Sequence, residues 1–255
     1  KAMGNLDLES RKGKAPGGYN CPLLETGAPF IFMNAAGQMH DVTTMVHEGG
    51  HAVHSFLSHD LELTGFKAYP MEIAEVASMS MELFTMDYWD TFFSNPDELT
   101  RAKEHQLERV ITLFPWVAII DKFQHWVYEN PQHTLEQRTS EWLKILEEFK
   151  EGIVDYSGLE KFRANMWQKQ LHLFEVPFYY IEYGIAQLGA IGLWMQYKKN
   201  PDKAIKNYCD ALSLGATRTL PELYKTAGLE FDFSPSHIKV LMDFVSEEMK
   251  KLGEK

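Results

Sequence analysis

His47-Glu48-Gly49-Gly50-His51 is the stretch on which the reading of this 255-residue chain turns. Residues four apart on a helix share a face, so imidazoles at 47 and 51 can reach one metal ion. Glu48 follows the first of them and lies beside the metal's open position, where a carboxylate can take a proton from a water. Two His ligands and a carboxylate base form the pattern a zinc peptidase centre needs. Composition alone would produce this pattern in roughly a few per cent of such chains, so the weight rests on its context. Asp41 is placed to cap a helix running to about Leu57, with Val46, Val53, Phe56 and Leu57 as its apolar residues. Two glycines inside a helix cost about 1 kcal/mol each relative to Ala. Keeping them implies a need for space, and Gly50 is read as allowing close packing near a metal. The bland alternative is a helix carrying two incidental histidines.

Such a site needs a third protein ligand. One arrangement continues as H-x-x-G-x-x-H, but His54 and Leu57 occupy the positions where Gly and His would be required. The other takes a Glu from a later helix, and Met71 to Phe84, just after Pro70, reads as that helix. Glu72, Glu75, Met79 and Glu82 fall on one side of it, with Ile73, Val76, Ala77, Leu83 and Phe84 largely on another. Glu75 is flanked by small and apolar residues, where a carboxylate is costly to bury unless it meets a cation. Glu82 reads equally as a solvated carboxylate or as the acceptor for a ligand histidine's outer nitrogen. Glu72 reads as solvated.

Four segments in order extend the match beyond a motif. They are Arg11-Lys12-Gly13-Lys14-Ala15-Pro16-Gly17-Gly18, His47 to His54, Glu72 to Glu82, and Pro177-Phe178-Tyr179-Tyr180-Ile181-Glu182-Tyr183-Gly184-Ile185-Ala186-Gln187. Together they resemble the catalytic half of oligoendopeptidase F enzymes, in the thimet oligopeptidase family of zinc peptidases. The resemblance covers nearly the whole chain. It implies His47, His51 and Glu75 as ligands of one Zn²⁺ per chain and Glu48 as general base. It also implies that His172 and the tyrosines of the last segment face the zinc and stabilise the tetrahedral intermediate. Tyr179 and Tyr183 are four apart and can share a helix face, which favours them over Tyr180, read as a core aromatic. Members of that family run to several hundred residues and enclose a channel between two helical halves. The expectation is therefore that residues 1–255 form the catalytic portion of a larger peptidase whose N-terminal half is absent. That half, or self-association, is the expected macromolecular partner.

Composition sets the outer limits. A net charge of −11 argues against nucleic acid or an anionic membrane as a main partner. Cys21 and Cys209, far apart in sequence, fit buried free thiols in a reducing cytosol, with a lone disulfide as the alternative. No apolar run approaches the ~20 residues of a membrane span. Lys1 to Asn20 reads as a polar, Gly-rich segment whose loop at Lys14 to Gly18 is a linker or a wall of the substrate channel. Pro29 to Asn34 is the strand candidate, closed by Ala35-Ala36-Gly37, where a substrate backbone could add to an exposed edge. Helical patterns dominate the rest. They run from Pro96 towards Pro131, Thr134 to Glu151 with Gly152 as cap, Leu159 to Gln170, Pro177 to about Lys198, Asp202 to Ser213, Pro221 to Ala227 and Ser234 to Leu252, with Lys250-Lys251 a solvated end. The predicted fold class is mainly α with a small β element beside the zinc helix. The predicted function is a zinc endopeptidase acting on short peptides. A zinc carboxypeptidase on a similar scaffold would need a cationic group to read the substrate's C-terminus, for which no candidate stands out. A non-catalytic peptide-binding module would have no need of Glu48.

Overall fold

A computed structural model describes residues 4–149 and 154–253. The chain divides into two compact units, Lys1–Glu108 together with Ile185–Lys255, and Arg109–Gly184.

The first unit opens with a three-stranded sheet of β1 (Leu6–Glu9), β2 (Tyr19–Cys21) and β3 (Phe30–Ala35), in the order β1-β3-β2. β3 is parallel to β1 and antiparallel to β2, so the strand read from sequence is the central one. Its edges are already paired, which overturns strand addition to β3; the free edges belong to β1 and β2. Alternation along β3 buries Ile31 and Met33 and turns Phe30 and Phe32 towards Tyr19, which stacks on Phe32 at 4.9 Å. Lys14 joins the Gly-rich loop to this sheet. Its side chain is 1% exposed, and its Nζ donates to the carbonyls of Asp7 and Glu9 at 3.0 and 2.9 Å and to that of Met33. The ammonium also lies 4.3 Å from the centre of the Phe32 ring.

Next come α1 (Met39–Leu57) and α2 (Met71–Phe84). Asp41 does not occupy the cap position itself. It sits in the first turn and reaches back, accepting from the backbone N–H of Gln38 and Ala36 at 2.8 Å each. α2 has the boundaries its sequence predicts, but it is buried on almost every side from Ile73 to Ser80. The reason is coverage from several directions. α1, α8 (Pro201–Leu212) and α9 (Leu220–Thr226) all pack on it, and Tyr208 donates to the Ala77 carbonyl at 2.9 Å. α10 (Pro235–Gly253) closes the unit, so Lys250 and Lys251 are helical residues and no loose tail.

α3 (Pro96–Glu129) runs on through Pro115, and the division between the units falls inside it and inside α7 (Ile181–Lys199). The second unit further contains α4 (Leu135–Phe149), α5 (Glu160–Ala164) and α6 (His172–Glu175). Its core is Ile119, Ile120, Phe123, Trp142, Ile145, Leu146 and Trp167. The expected end of α4 at Glu151, with its Gly152 cap, lies outside the described residues. The helix expected from Leu159 to Gln170 is broken into α5 and a 3-10 turn over Met166–Lys169. Among the described residues no helix is long and apolar enough to cross a membrane. Both cysteines are free, and Cys21 is exposed, contrary to the expected burial.

Candidate metal centre

The centre is built where α1 meets α2. A Cβ on Gly50 would lie 2.5 Å from the Ser78 Cα and 2.6 Å from the Ala77 carbonyl oxygen, so only glycine lets the two helices touch there. Gly49 has open space around it, and the sequence argument holds for the second glycine alone. The contact turns His47 and His51 towards Glu75. His47 Nε2 lies 3.4 Å and His51 Nε2 3.8 Å from Glu75 Oε2. One ligand atom from each of the three falls within 4.8 Å of the others. Glu75 is held by Ser78, whose hydroxyl donates to Oε2 at 3.0 Å.

Around this trio, Glu82 is buried and accepts from His47 Nδ1 at 2.6 Å. Of its two sequence readings, the structure supports the acceptor. Its other oxygen accepts from Gln106 Nε2 at 2.6 Å. Glu72, half-buried, takes no part in the trio. Glu48 is 5% exposed, and its Oε2 is buried without a hydrogen-bond partner. Gly18, at the end of the loop fixed by Lys14, approaches it so closely that a Cβ there would meet Glu48 Oε1 at 3.2 Å. That loop is therefore a wall of this site. His54 and His59 are packing residues, as expected: His54 is fully buried against Tyr69, and His59 fits against Gly27.

The charges follow from this packing. Burial pulls the His47 imidazole down, but hydrogen bonds and charge from Glu75 and Glu82 outweigh it and push the group up to about 10. Burial holds His51 down at about 4. Glu75, despite its burial, is held low by the His47 hydrogen bond and the two imidazoles. Glu48 is pushed up to about 7, chiefly by burial and further by the charges of Glu75 and Glu82. Two imidazole nitrogens and a carboxylate oxygen converging in this way suit a divalent metal ion. The unsatisfied Glu48 oxygen beside them fits the same conclusion. A second group, Glu230, Asp232 and His237, also gathers ligand atoms, but Glu230 is exposed and both Asp232 oxygens accept from Ser234.

In the second unit His172, Tyr179 and Tyr183 come together. The His172 ring centre lies 5.7 Å from that of Tyr179 and 5.5 Å from that of Tyr183. Gln170 Nε2 donates to His172 Nδ1 at 2.6 Å, which leaves the proton on Nε2, 3.1 Å from the Tyr183 hydroxyl. The helical argument for Tyr179 fails, because α7 starts at Ile181. Tyr179 reaches His172 from a turn in which Phe178 has φ +60°. Phe178 is held there by its N–H, donated to Gln124 Oε1 at 3.0 Å. Tyr180 packs on the core, as expected, although its ring also touches His172 at 5.2 Å. Gln106 and Gln170 were invisible to sequence reasoning, since each acts across elements with no spacing to announce it.

Comparison with known proteins gives the family. Residues 3–241 match the family described as Peptidase family M3. Oligopeptidase PepF of Bacillus subtilis is 25% identical over 254 residues, 98% of this chain and 37% of the relative. The chromosomal oligoendopeptidase F of Lactococcus lactis subsp. cremoris is 27% identical, over 98% of this chain and 42% of the relative. The solved structure of PZ peptidase A with inhibitor 2 has a TM-score of 0.88 at 30% identity, covering 98% of this chain and 44% of that one. The chain thus spans less than half the length of these relatives. The match runs through α1 and α2, where the donors converge, and on across both units, and on that ground the chain belongs to peptidase family M3.

Proposed function

We propose that this chain is the catalytic portion of a zinc-dependent oligopeptidase that cleaves internal bonds of short peptides. The convergence of His47, His51 and Glu75 beside a buried, unsatisfied Glu48 carboxylate carries the reading. Zn²⁺ would be held by the Nε2 atoms of both histidines and by Glu75 Oε2. Bound there, it supplies Lewis acidity to the scissile carbonyl and the attacking water. Glu48 takes the water's proton at Oε2 and returns it to the leaving amine. Glu48 is buried with Oε2 unpartnered, which places it to hold that proton between the two steps. Glu82 holds the proton of His47 on Nδ1, leaving Nε2 as the ligand atom. Family membership supports His172, Tyr179 and Tyr183 as donors to the oxyanion, and their mutual contacts fix the rings for such a role.

The test compares two substitutions. Glu48→Gln keeps shape but cannot act as a base, so zinc content is expected to hold while turnover on internally quenched peptides falls by about 10²–10⁴. Glu75→Gln is expected to lose zinc. Retention by Glu75→Gln together with loss by Glu48→Gln would reverse the two roles, and protein that takes up no zinc at all would refute the reading.

A further inference from the structure

We infer that Gln106, on α3, is a positioning residue for the metal centre, acting through Glu82 on His47. The inference rests on the metal-site reading above and extends it by one residue on a third helix. Glu82 uses one oxygen for each neighbour: Oε1 receives the His47 Nδ1–H and Oε2 receives the Gln106 Nε2–H, both at 2.6 Å. The line Gln106, Glu82, His47 therefore crosses from α3 through α2 to α1 and ends at the nitrogen that faces Glu75.

Three observations separate Gln106 from an ordinary core residue. It is 2% exposed on a helix whose neighbouring residues, Arg101-Ala102-Lys103-Glu104-His105, are mostly polar or charged, so a long amide has been placed inside where an apolar residue would pack without cost. Its Oε1 is buried with no partner, so the side chain accepts an unpaired carbonyl in order to present its N–H₂ to Glu82. Turning the amide over would set a carbonyl oxygen against the carboxylate at 2.6 Å, which fixes its orientation.

The chemistry explains why an amide serves here. A carboxylate with one satisfied oxygen can swing, and His47 would swing with it. A Lys or Arg in place of Gln106 would hold Glu82 equally well but cancel its charge. Glu75 and Glu82 together carry the two negative charges that balance a divalent ion beside two neutral imidazoles. A neutral donor holds Glu82 in place and leaves that balance intact.

Gln106→Met removes the donor and keeps the length and unbranched shape. Zn²⁺ affinity is read by competition with a chromophoric chelator, for the wild type, Gln106→Met, Glu82→Gln and the double variant. Glu82→Gln is expected to weaken binding about 10- to 100-fold. Gln106→Met should weaken it by less, about 3- to 10-fold, and should have no further effect in the Glu82→Gln background. An equal loss in both backgrounds would make Gln106 a packing residue, and no loss in the wild-type background would remove it from the centre. Wild-type protein that binds no Zn²⁺ would instead overturn the metal-site reading itself. If metal-free Gln106→Met lacks a cooperative unfolding transition, the wild type is read by ¹⁵N NMR. One Gln106 side-chain N–H proton is then expected downfield and protected, moving upfield in Glu82→Gln. A solvent-like resonance there would overturn the inference.

Discussion

His54 shows how differently two histidines on one helix can be used. One turn past His51, it is completely buried, stacked on Tyr69, and neither ring nitrogen makes a hydrogen bond of normal geometry. Burial, with the nearby His51, holds it down at about 3. The unfolded chain takes up a proton near the ordinary value of about 6.5, and the folded chain does not. Protons therefore favour unfolding below that value: the stability is fully present above about 6.5 and is lost as pH falls from there towards about 3. Each unit costs up to about 1.4 kcal/mol. His47 and Glu48, both pushed up, shift stability the opposite way over the same range, so the test is a difference. Urea unfolding of chelator-treated wild type and His54→Phe at pH 7.5 and 5.5 should show wild type losing more on acidification, and equal changes would place the charge elsewhere. At the tyrosines the expectation is kinetic. Tyr179→Phe and Tyr183→Phe should each raise the barrier by roughly 3 kcal/mol in kcat with KM little changed. Tyr180→Phe, whose ring belongs to the core, should do much less. Equal, small effects at all three in initial-rate assays would return them all to packing.

Among the elements, the α1–α2 contact is the one to perturb. Gly50→Ala would drive a methyl into the Ser78 backbone, which cannot yield as a flexible side chain would. Overpacking of that kind costs about 1–3 kcal/mol, and because the same contact aligns the donors, zinc affinity should fall with stability. Gly49→Ala meets nothing within 4 Å and should raise stability by about 1 kcal/mol through helix propensity alone. Thermal unfolding of the two metal-free variants separates the cases. The contrast also marks what sequence could tell. The spacing of His47 and His51, the burial cost of Glu75 and the limits of α2 are local patterns, and they were legible. β1 and β2 are only four and three residues long, too short to display alternation inside a Gly-rich stretch. Tyr179 reaches His172 through a left-handed turn that helical spacing cannot describe. The Glu82–Gln106 bond joins α2 to α3, and only tertiary packing decides such a pair.

For the molecule as a whole, the uncovered surface matters. Phe56, Tyr88 and Phe92 are 58%, 63% and 61% exposed on the first unit, and the relatives of this chain are more than twice its length. Exposed apolar surface of this kind recruits a partner, so the isolated 255 residues are expected to associate with one another in solution. Light scattering checks this: a stable monomer of 29.4 kDa that cleaves short peptides efficiently and ignores long ones would contradict it. The first unit has a further property, which concerns time. It is made from two stretches of chain separated by Arg109–Gly184. A ribosome delivers His47, His51, Glu75 and Glu82 well before α8 and α9, the helices that cover α1 and α2 and set Tyr208 against Ala77. During that interval the α1–α2 contact at Gly50 holds the donors together without the helices that later cover it. Covering of the candidate centre is thus a late step of synthesis.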